Sequence, residues 1–164
     1  MEFLQLSDRE HAMPVNLVVT VGPQATVPAE TRERFVGFHV RILNGTGITA
    51  IQATGEVDSA TADEFRAHLR AADELDSAPK GMVVDLSRVT FLSSAGLSAL
   101  IEREVMCRSR EIPLVLVAQR RVVTRPLDVA GLADRIVTVP SMRLALVVLR
   151  LSRRPATHPN SRIH

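Results

Sequence analysis

A chain of 164 residues with 46% hydrophobic content is long enough for one globular core and short for two. With a formal charge of +2 and 3% aromatic residues, it lacks the interleaved rings and basic groups that stack on bases, so we expect no direct nucleic-acid partner. The lone Cys107 excludes an internal disulfide framework, and neither a secretory signal nor an apolar run of roughly 18 residues is evident. These features predict one cytoplasmic domain without a membrane span.

The first part of the chain divides near residue 35. Residues 1–34 are rich in proline and charge and are interpreted as an extension, in which VNLVVTV (15–21) forms either an edge strand or part of a mobile leader. Strands are predicted over 35–43 and 48–54. The turn formers Asn44-Gly45-Thr46-Gly47 between them indicate a hairpin.

A helix and a buried strand follow. Ser59 or Thr61 can cap the helix after the turn at 55–58, and its apolar face comprises Phe65, Leu69 and Ala72. Residues 80–86 contain the run MVVDL, which is typical of a central strand buried on both faces.

The second half alternates helices and strands. A helix over 94–108 is predicted to pack through Leu97, Leu100, Ile101 and Val105, with Glu102, Arg103 and Arg108 turned away. A strand (112–118), a helix (121–129), a strand (136–139) and a helix capped by Ser141 and running through Leu149 complete the pattern. We therefore predict an α/β domain over 35–150, with a mixed, mostly parallel sheet in the order β-β-α-β-α-β-α-β-α and a disordered basic tail over 151–164.

The most informative stretch is residues 83–100, VVDLSRVTFLSSAGLSAL, where a buried strand leads through a short loop to a helix that begins at two serines. The free N–H groups and partial positive charge of a helix N-terminus can hold a phosphate. Serine is also among the commonest helix caps, so spacing alone favours a structural role for Ser93 and Ser94.

Two motifs carry a family resemblance. The first motif consists of Asp85-Leu86-Ser87, Phe91 and Ser94-Ala95-Gly96-Leu97. The second lies upstream and consists of Thr54-Gly55-Glu56-Val57-Asp58 followed by Thr61-Ala62. The first resembles the phosphorylation motif of anti-sigma factor antagonists, which are STAS domains. The second resembles the turn into the first helix of that family. The likeness covers residues 35–149.

The resemblance implies a non-enzymatic regulator of transcription that exchanges partners. The unmodified protein would bind an anti-sigma factor with serine kinase activity, and phosphorylation of Ser94 would end that binding. The residue before the acceptor, commonly Asp in the family, is Ser93 in this chain and is a second candidate acceptor. The implied partner-binding residues are Asp58, Ser93, Ser94, Ala95, Gly96 and Leu97. Gly96 would keep the helix start open to the partner, and Asp58 would line the same surface.

Two alternatives remain. One is a STAS accessory module that is never phosphorylated and serves a transporter or a signalling complex. The other is an enzyme, but the five histidines are scattered, phosphate-binding glycine loops are absent, and we expect no metal or cofactor. Cys107 is interpreted as a packing residue. The C-terminal stretch after Asp134 is basic and could touch an anionic surface. The sequence determines no oligomeric state, and its many arginines against the single Lys80 indicate a bacterial, GC-rich genome.

Overall fold

The computed structural model describes residues 18–19, 37–43 and 47–152, with side chains from residue 47 onward. The strands are β1 (Val18–Val19), β2 (Gly37–Leu43), β3 (Ile48–Val57), β4 (Gly81–Leu92), β5 (Leu114–Val117) and β6 (Val137–Val139). The helices are α1 (Ala62–Leu75), α2 (Ser94–Ser109), α3 (Arg121–Val129) and α4 (Met142–Ser152). The α/β class and the predicted alternation of elements are confirmed.

The strands form one mixed sheet in the order β1-β2-β3-β4-β5-β6. The pairs β1–β2 and β2–β3 are antiparallel, and β3 to β6 run parallel to their neighbours. The predicted antiparallel start is therefore confirmed, although residues 44–46 of the hairpin turn lie outside the described residues. Val18–Val19, within the stretch that could supply an edge strand, pairs with β2. The domain bounds at 34 and 150 stay predictions, and the rest of the extension and residues 153–164 are not described.

Apolar side chains cover both faces of the sheet. The larger core lies beneath α1, α2 and α3 and includes Phe65, Leu100 and Leu127. The smaller core lies beneath α4, where Ala145 and Leu149 pack on strand residues. Residues 82–86 of β4 are buried and contribute to both cores, which confirms that β4 is a central strand.

Several elements have other bounds than the sequence predicts. β3 and β4 are longer than predicted and end at Val57 and Leu92, which are register partners. Turn-forming residues led the sequence analysis to end both strands earlier. The strands continue because the backbone groups of each form hydrogen bonds with the other. The loop predicted before α2 is consequently the end of β4. β5 is shorter than predicted, and α4 extends through Ser152 rather than ending at Leu149. Ser141 caps α4 as predicted, since its Oγ accepts a hydrogen bond from the Leu144 N–H at 3.3 Å.

The packing face of α2 differs from the prediction. Val105 is 52% exposed, whereas Arg103 is only 2% exposed. The Arg103 guanidinium donates to both carboxylate oxygens of Asp73 on α1 at 2.8 Å, and its Nε donates to Sδ of Met82 at 3.0 Å. A bidentate ion pair allows an arginine to occupy a buried position that hydrophobic periodicity assigns to an apolar residue.

Candidate functional site

Ser93 lies between the end of β4 and the start of α2, and its hydrogen bonds connect the start of α2 with the end of β3. Its N–H donates to the carbonyl of Val57 at 2.8 Å, and its Oγ accepts from the N–H of Gly96 at 3.3 Å. The hydroxyl of Ser93 therefore caps α2, which is the structural role that serine at this position commonly has. The residue is only partly exposed.

Ser94 is the first residue of α2 and differs from its neighbour. It is exposed, and within residues 47–152 no group forms a hydrogen bond with its hydroxyl. Its backbone carbonyl accepts from the hydroxyl of Ser98 at 2.9 Å, which keeps it within the helical turn. The structure thus presents one unengaged hydroxyl to solvent at the positive end of a 16-residue helix.

Gly96 is buried, and its neighbours give a packing reason for a glycine at this position. A Cβ atom here would lie 2.6 Å from Cγ1 of Val57 and 2.8 Å from Cδ1 of Leu92. The absent side chain lets the start of α2 approach the ends of β3 and β4 closely. Ala95 and Leu97 on either side are half-buried, and Leu97 packs against the larger core.

Asp58 follows β3 and shapes the turn into α1. Its Oδ1 accepts from the N–H groups of Ala60 and Thr61 at 2.9 and 3.0 Å, and the Thr61 hydroxyl donates to it at 3.1 Å. Thr61 is the N-cap residue of α1, as one of the two predicted candidates, but its side chain makes no capping hydrogen bond. The Asp58 carboxylate accepts the N–H groups of this turn instead. Asp58 is half-buried beside the Val57–Ser93 contact, so the two sequence motifs meet at one end of the sheet.

An apolar groove, which the sequence analysis missed, opens beside this end of the sheet. It has a volume of about 510 Å³ and lies between the end of β4 and α3. Phe91 and Val129 in its wall are 48% and 83% exposed. The lining residues are Phe91, Leu92, Arg121, Val122, Arg125, Pro126 and Val129. The sequence contained one indication of this groove. Val122, Pro126 and Val129 are apolar residues of α3 in addition to Val123 and Leu127, which α3 buries in the core.

Glu104 and Cys107 are buried titratable residues of α2. Glu104 is buried and forms ion pairs with Arg108 and Arg135. Burial raises the pKa of the Cys107 thiol. Because the thiolate is the reactive form of cysteine, a raised pKa makes Cys107 less reactive, as expected of a packing residue. Among the described residues, no three His, Cys, Asp or Glu side chains are grouped to hold a metal ion.

Of the five histidines, the structure describes the side chain of His68 alone. His68 is buried in α1, with Nδ1 2.7 Å from the carbonyl of Glu64. His11, His158 and His164 lie outside the described residues, as does the side chain of His39. None of the four described helices has the combination of length and hydropathy that a membrane-spanning helix needs.

Comparison with known proteins identifies the family. The STAS domain model matches residues 39–145. The anti-sigma-F factor antagonist RsfA of Mycobacterium tuberculosis is 28% identical over 96 residues, covering 58% of this chain and 75% of RsfA. Another protein of that organism, Rv2638, whose name describes a candidate anti-anti-sigma factor, is 28% identical over 83% of this chain and 85% of its own length.

Among solved structures, an anti-sigma factor antagonist from Mycobacterium paratuberculosis has the same fold. The two chains align with a TM-score of 0.61 and 25% identity, over 71% of this chain and 95% of the other. The matched region contains both motifs and the elements from β3 to the start of α4. The chain therefore belongs to the STAS domain family.

Proposed function

We propose that this protein is an anti-sigma factor antagonist that binds an anti-sigma factor with serine kinase activity and is released when that kinase phosphorylates Ser94. The observation that carries the proposal is the exposed, unengaged hydroxyl of Ser94 at the start of α2. The names of the relatives RsfA and Rv2638 support the class of partner.

The two serines are unequal as acceptors. The Ser93 hydroxyl accepts the Gly96 N–H and is part of the α2 cap, so its modification would disturb the helix start. The Ser94 hydroxyl contributes nothing to that cap. Ser94 is accordingly the acceptor that a kinase can modify without unfolding the first turn of α2.

Phosphorylation would change docking more than it changes folding. A phosphate adds about 1.5 to 2 negative charges, and the N-terminus of α2 offsets part of this by about 0.3 to 1 kcal/mol. Docking would instead require the phosphate to be desolvated, or to lie beside groups of the partner that are arranged to contact an uncharged serine. A penalty of roughly 3 kcal/mol weakens a complex about a hundredfold, which is sufficient to exchange partners.

The docking surface, as we propose it, consists of the Ser94 end of α2 together with the apolar groove. Phe91 is the aromatic side chain of the groove lining and belongs to the strand that ends just before Ser93. Aromatic side chains with this exposure are frequent anchors of interfaces. Asp58 contributes mainly by holding the turn that lies beside Ser93.

The experiment is phosphorylation and binding with the anti-sigma kinases of the source genome. Wild-type protein is incubated with ATP and each kinase and analysed by intact-mass and peptide mass spectrometry. We expect one phosphate on Ser94, none in Ser94→Ala, and continued modification of Ser93→Ala. The unmodified protein should bind the same kinase at least about a hundredfold more tightly than the phosphorylated form.

Groove variants test the surface separately from the switch. Phe91→Ala should weaken kinase binding about tenfold or more. Val105→Ala is the matched control, because Val105 has similar exposure and does not line the groove. Modification of Ser93 instead of Ser94, or no modification by any kinase together with stable binding to another protein, would refute the switch and favour an unphosphorylated accessory module.

A further inference from the structure

The outer face of α4 carries more apolar surface than the fold uses. Leu144 and Val147 are each 44% exposed, and Leu151 is 59% exposed. Residues three and four apart lie on one side of a helix, so these three side chains form a single stripe, the α4 stripe. The opposite side of α4 is already anchored by Ala145 and Leu149, which are fully buried against the sheet. α4 is thus apolar on two sides, beyond what core packing requires.

Basic residues border the α4 stripe. Arg143 and Arg150 are exposed and seven residues apart, so at about 100° per residue they lie together along one flank of the stripe. Residues 135–164 contain six arginines and no aspartate or glutamate. The face that exposes the apolar stripe therefore lies in the most basic part of the chain.

The apolar surface continues onto the neighbouring edge strand. Val137 in β6 is 51% exposed. It pairs with Val115, whose side chain packs in the small core beneath α4, and paired residues point to the same face of a sheet. Val137 therefore lies on the α4 side of the sheet and widens the apolar surface there.

Charge decides between the occupants of this surface. A second copy of the chain placed on the α4 stripe would bring two like-charged regions together, because residues 135–164 contain six arginines and no acidic residue to offset the repulsion. An anionic lipid surface supplies both requirements, because acyl chains accept Leu and Val while headgroup phosphates pair with Arg. The stripe is also a ridge on the outside of a helix, a shape that a fluid lipid interface accommodates.

We propose that α4 binds the protein peripherally to membranes that contain anionic lipid. Leu144, Val147 and Leu151 enter the boundary between headgroups and acyl chains, and Arg143 extends to the phosphates beside them. This contact uses the face of the sheet opposite α1, α2 and α3, so it leaves Ser94 and the groove accessible.

Vesicle co-sedimentation of the full chain tests the proposal. The probes are vesicles of pure phosphatidylcholine and vesicles in which about a third of the lipid is phosphatidylglycerol. We expect binding to the anionic vesicles only, weakened by salt. Leu144→Ser/Val147→Ser/Leu151→Ser should bind at least about tenfold more weakly, and Arg143→Gln about fivefold more weakly. Val105→Ser, which exposes a similar area on α2, should bind like wild type.

Folding is checked for every variant by thermal unfolding, and the single substitution Val147→Ser replaces the triple one if the triple variant is unstable. Equal binding to both kinds of vesicle, no binding to either, or a triple variant that binds like wild type would each overturn the proposal. The proposal would also be overturned, in favour of a second copy of the chain, if the wild type were a dimer in solution that does not bind vesicles and the triple variant were a monomer.

Discussion

Replacing Gly96 by alanine tests how α2 is seated on the sheet. The added Cβ would lie 2.6 Å from Cγ1 of Val57 and 2.8 Å from Cδ1 of Leu92, well inside the usual carbon–carbon separation of about 3.5 to 4.0 Å. Both neighbours are core residues, with 0% and 5% exposure, so neither methyl group has solvent to move into. Either their rotamers change or the start of α2 moves outward, and Ser94 with it.

Two opposing terms set the size of the effect. Alanine is favoured over glycine inside a helix by about 1 kcal/mol. Overpacking a filled core costs about 1 to 3 kcal/mol, and two simultaneous close contacts place Gly96→Ala in the upper part of that range. We expect a net loss of about 1 to 2 kcal/mol in the free energy of unfolding, or a fall in Tm of roughly 3 to 10 °C.

The assay is urea and thermal unfolding followed by circular dichroism, with a double-mutant cycle. Val57→Ala alone should cost roughly 1 to 3 kcal/mol through lost methyl groups, but it also removes the atom nearest the new Cβ. The double variant should therefore lose less stability than the sum of the single variants, by at least about 0.5 kcal/mol.

A second glycine provides the control. Gly131 has a φ of +68°, and a Cβ added there would meet no atom within 4 Å outside its own chain neighbours. Gly131→Ala is therefore strained by its backbone alone, and Val57→Ala should not relieve it. A Gly96→Ala variant as stable as wild type, or costs that simply add in the cycle, would refute the steric argument.

Three further outcomes concern groups that hold the scaffold. Asp58→Ala should lower the free energy of unfolding by about 1 kcal/mol in urea titrations, and Asp58→Asn by less, because the amide oxygen can still accept from the turn. Asp73→Ala leaves the buried Arg103 without its carboxylate and should cost about 3 kcal/mol, against about 0.5 or less for the exposed Asp63→Ala. Burial raises the pKa of the Cys107 thiol above its ordinary value of 9.0, so this thiol deprotonates at a lower pH in the unfolded chain than in the folded one. The free energy of unfolding of the wild type should therefore fall as the pH rises past about 9. The free energy of unfolding of Cys107→Ala should fall less over the same range.

Each of these expectations can fail in a specific way. Equal losses in Asp58→Ala and Asp58→Asn would mean that the carboxylate charge, and not hydrogen-bond acceptance, holds the turn. An Asp73→Ala variant no less stable than Asp63→Ala would mean that Arg103 finds another acceptor or water. Identical alkaline unfolding profiles for wild type and Cys107→Ala would refute the raised pKa.

Local patterns were sufficient for the order of elements and for the position of the helix start that carries Ser94. The buried run before Asp85 predicted a central strand, because a strand covered on both faces needs apolar residues at successive positions. The serines before Gly96 predicted a helix start, and the structure begins α2 at Ser94 with Ser93 as its cap. Such signals act within a few residues of the chain, so they can be read without knowing what packs against them.

Only the tertiary structure decided which side chains are buried, engaged or exposed. Arg103 is buried because Asp73, 30 residues away, forms its ion pair, and Gly96 is required because Val57 at the end of β3 lies against it. The apolar groove likewise depends on how α3 lies against the end of β4, and the α4 stripe depends on which face of α4 the sheet covers. Hydrophobic periodicity gives a helix an apolar side but does not say whether a second apolar side remains in solvent, because that is determined by neighbours that are distant in sequence.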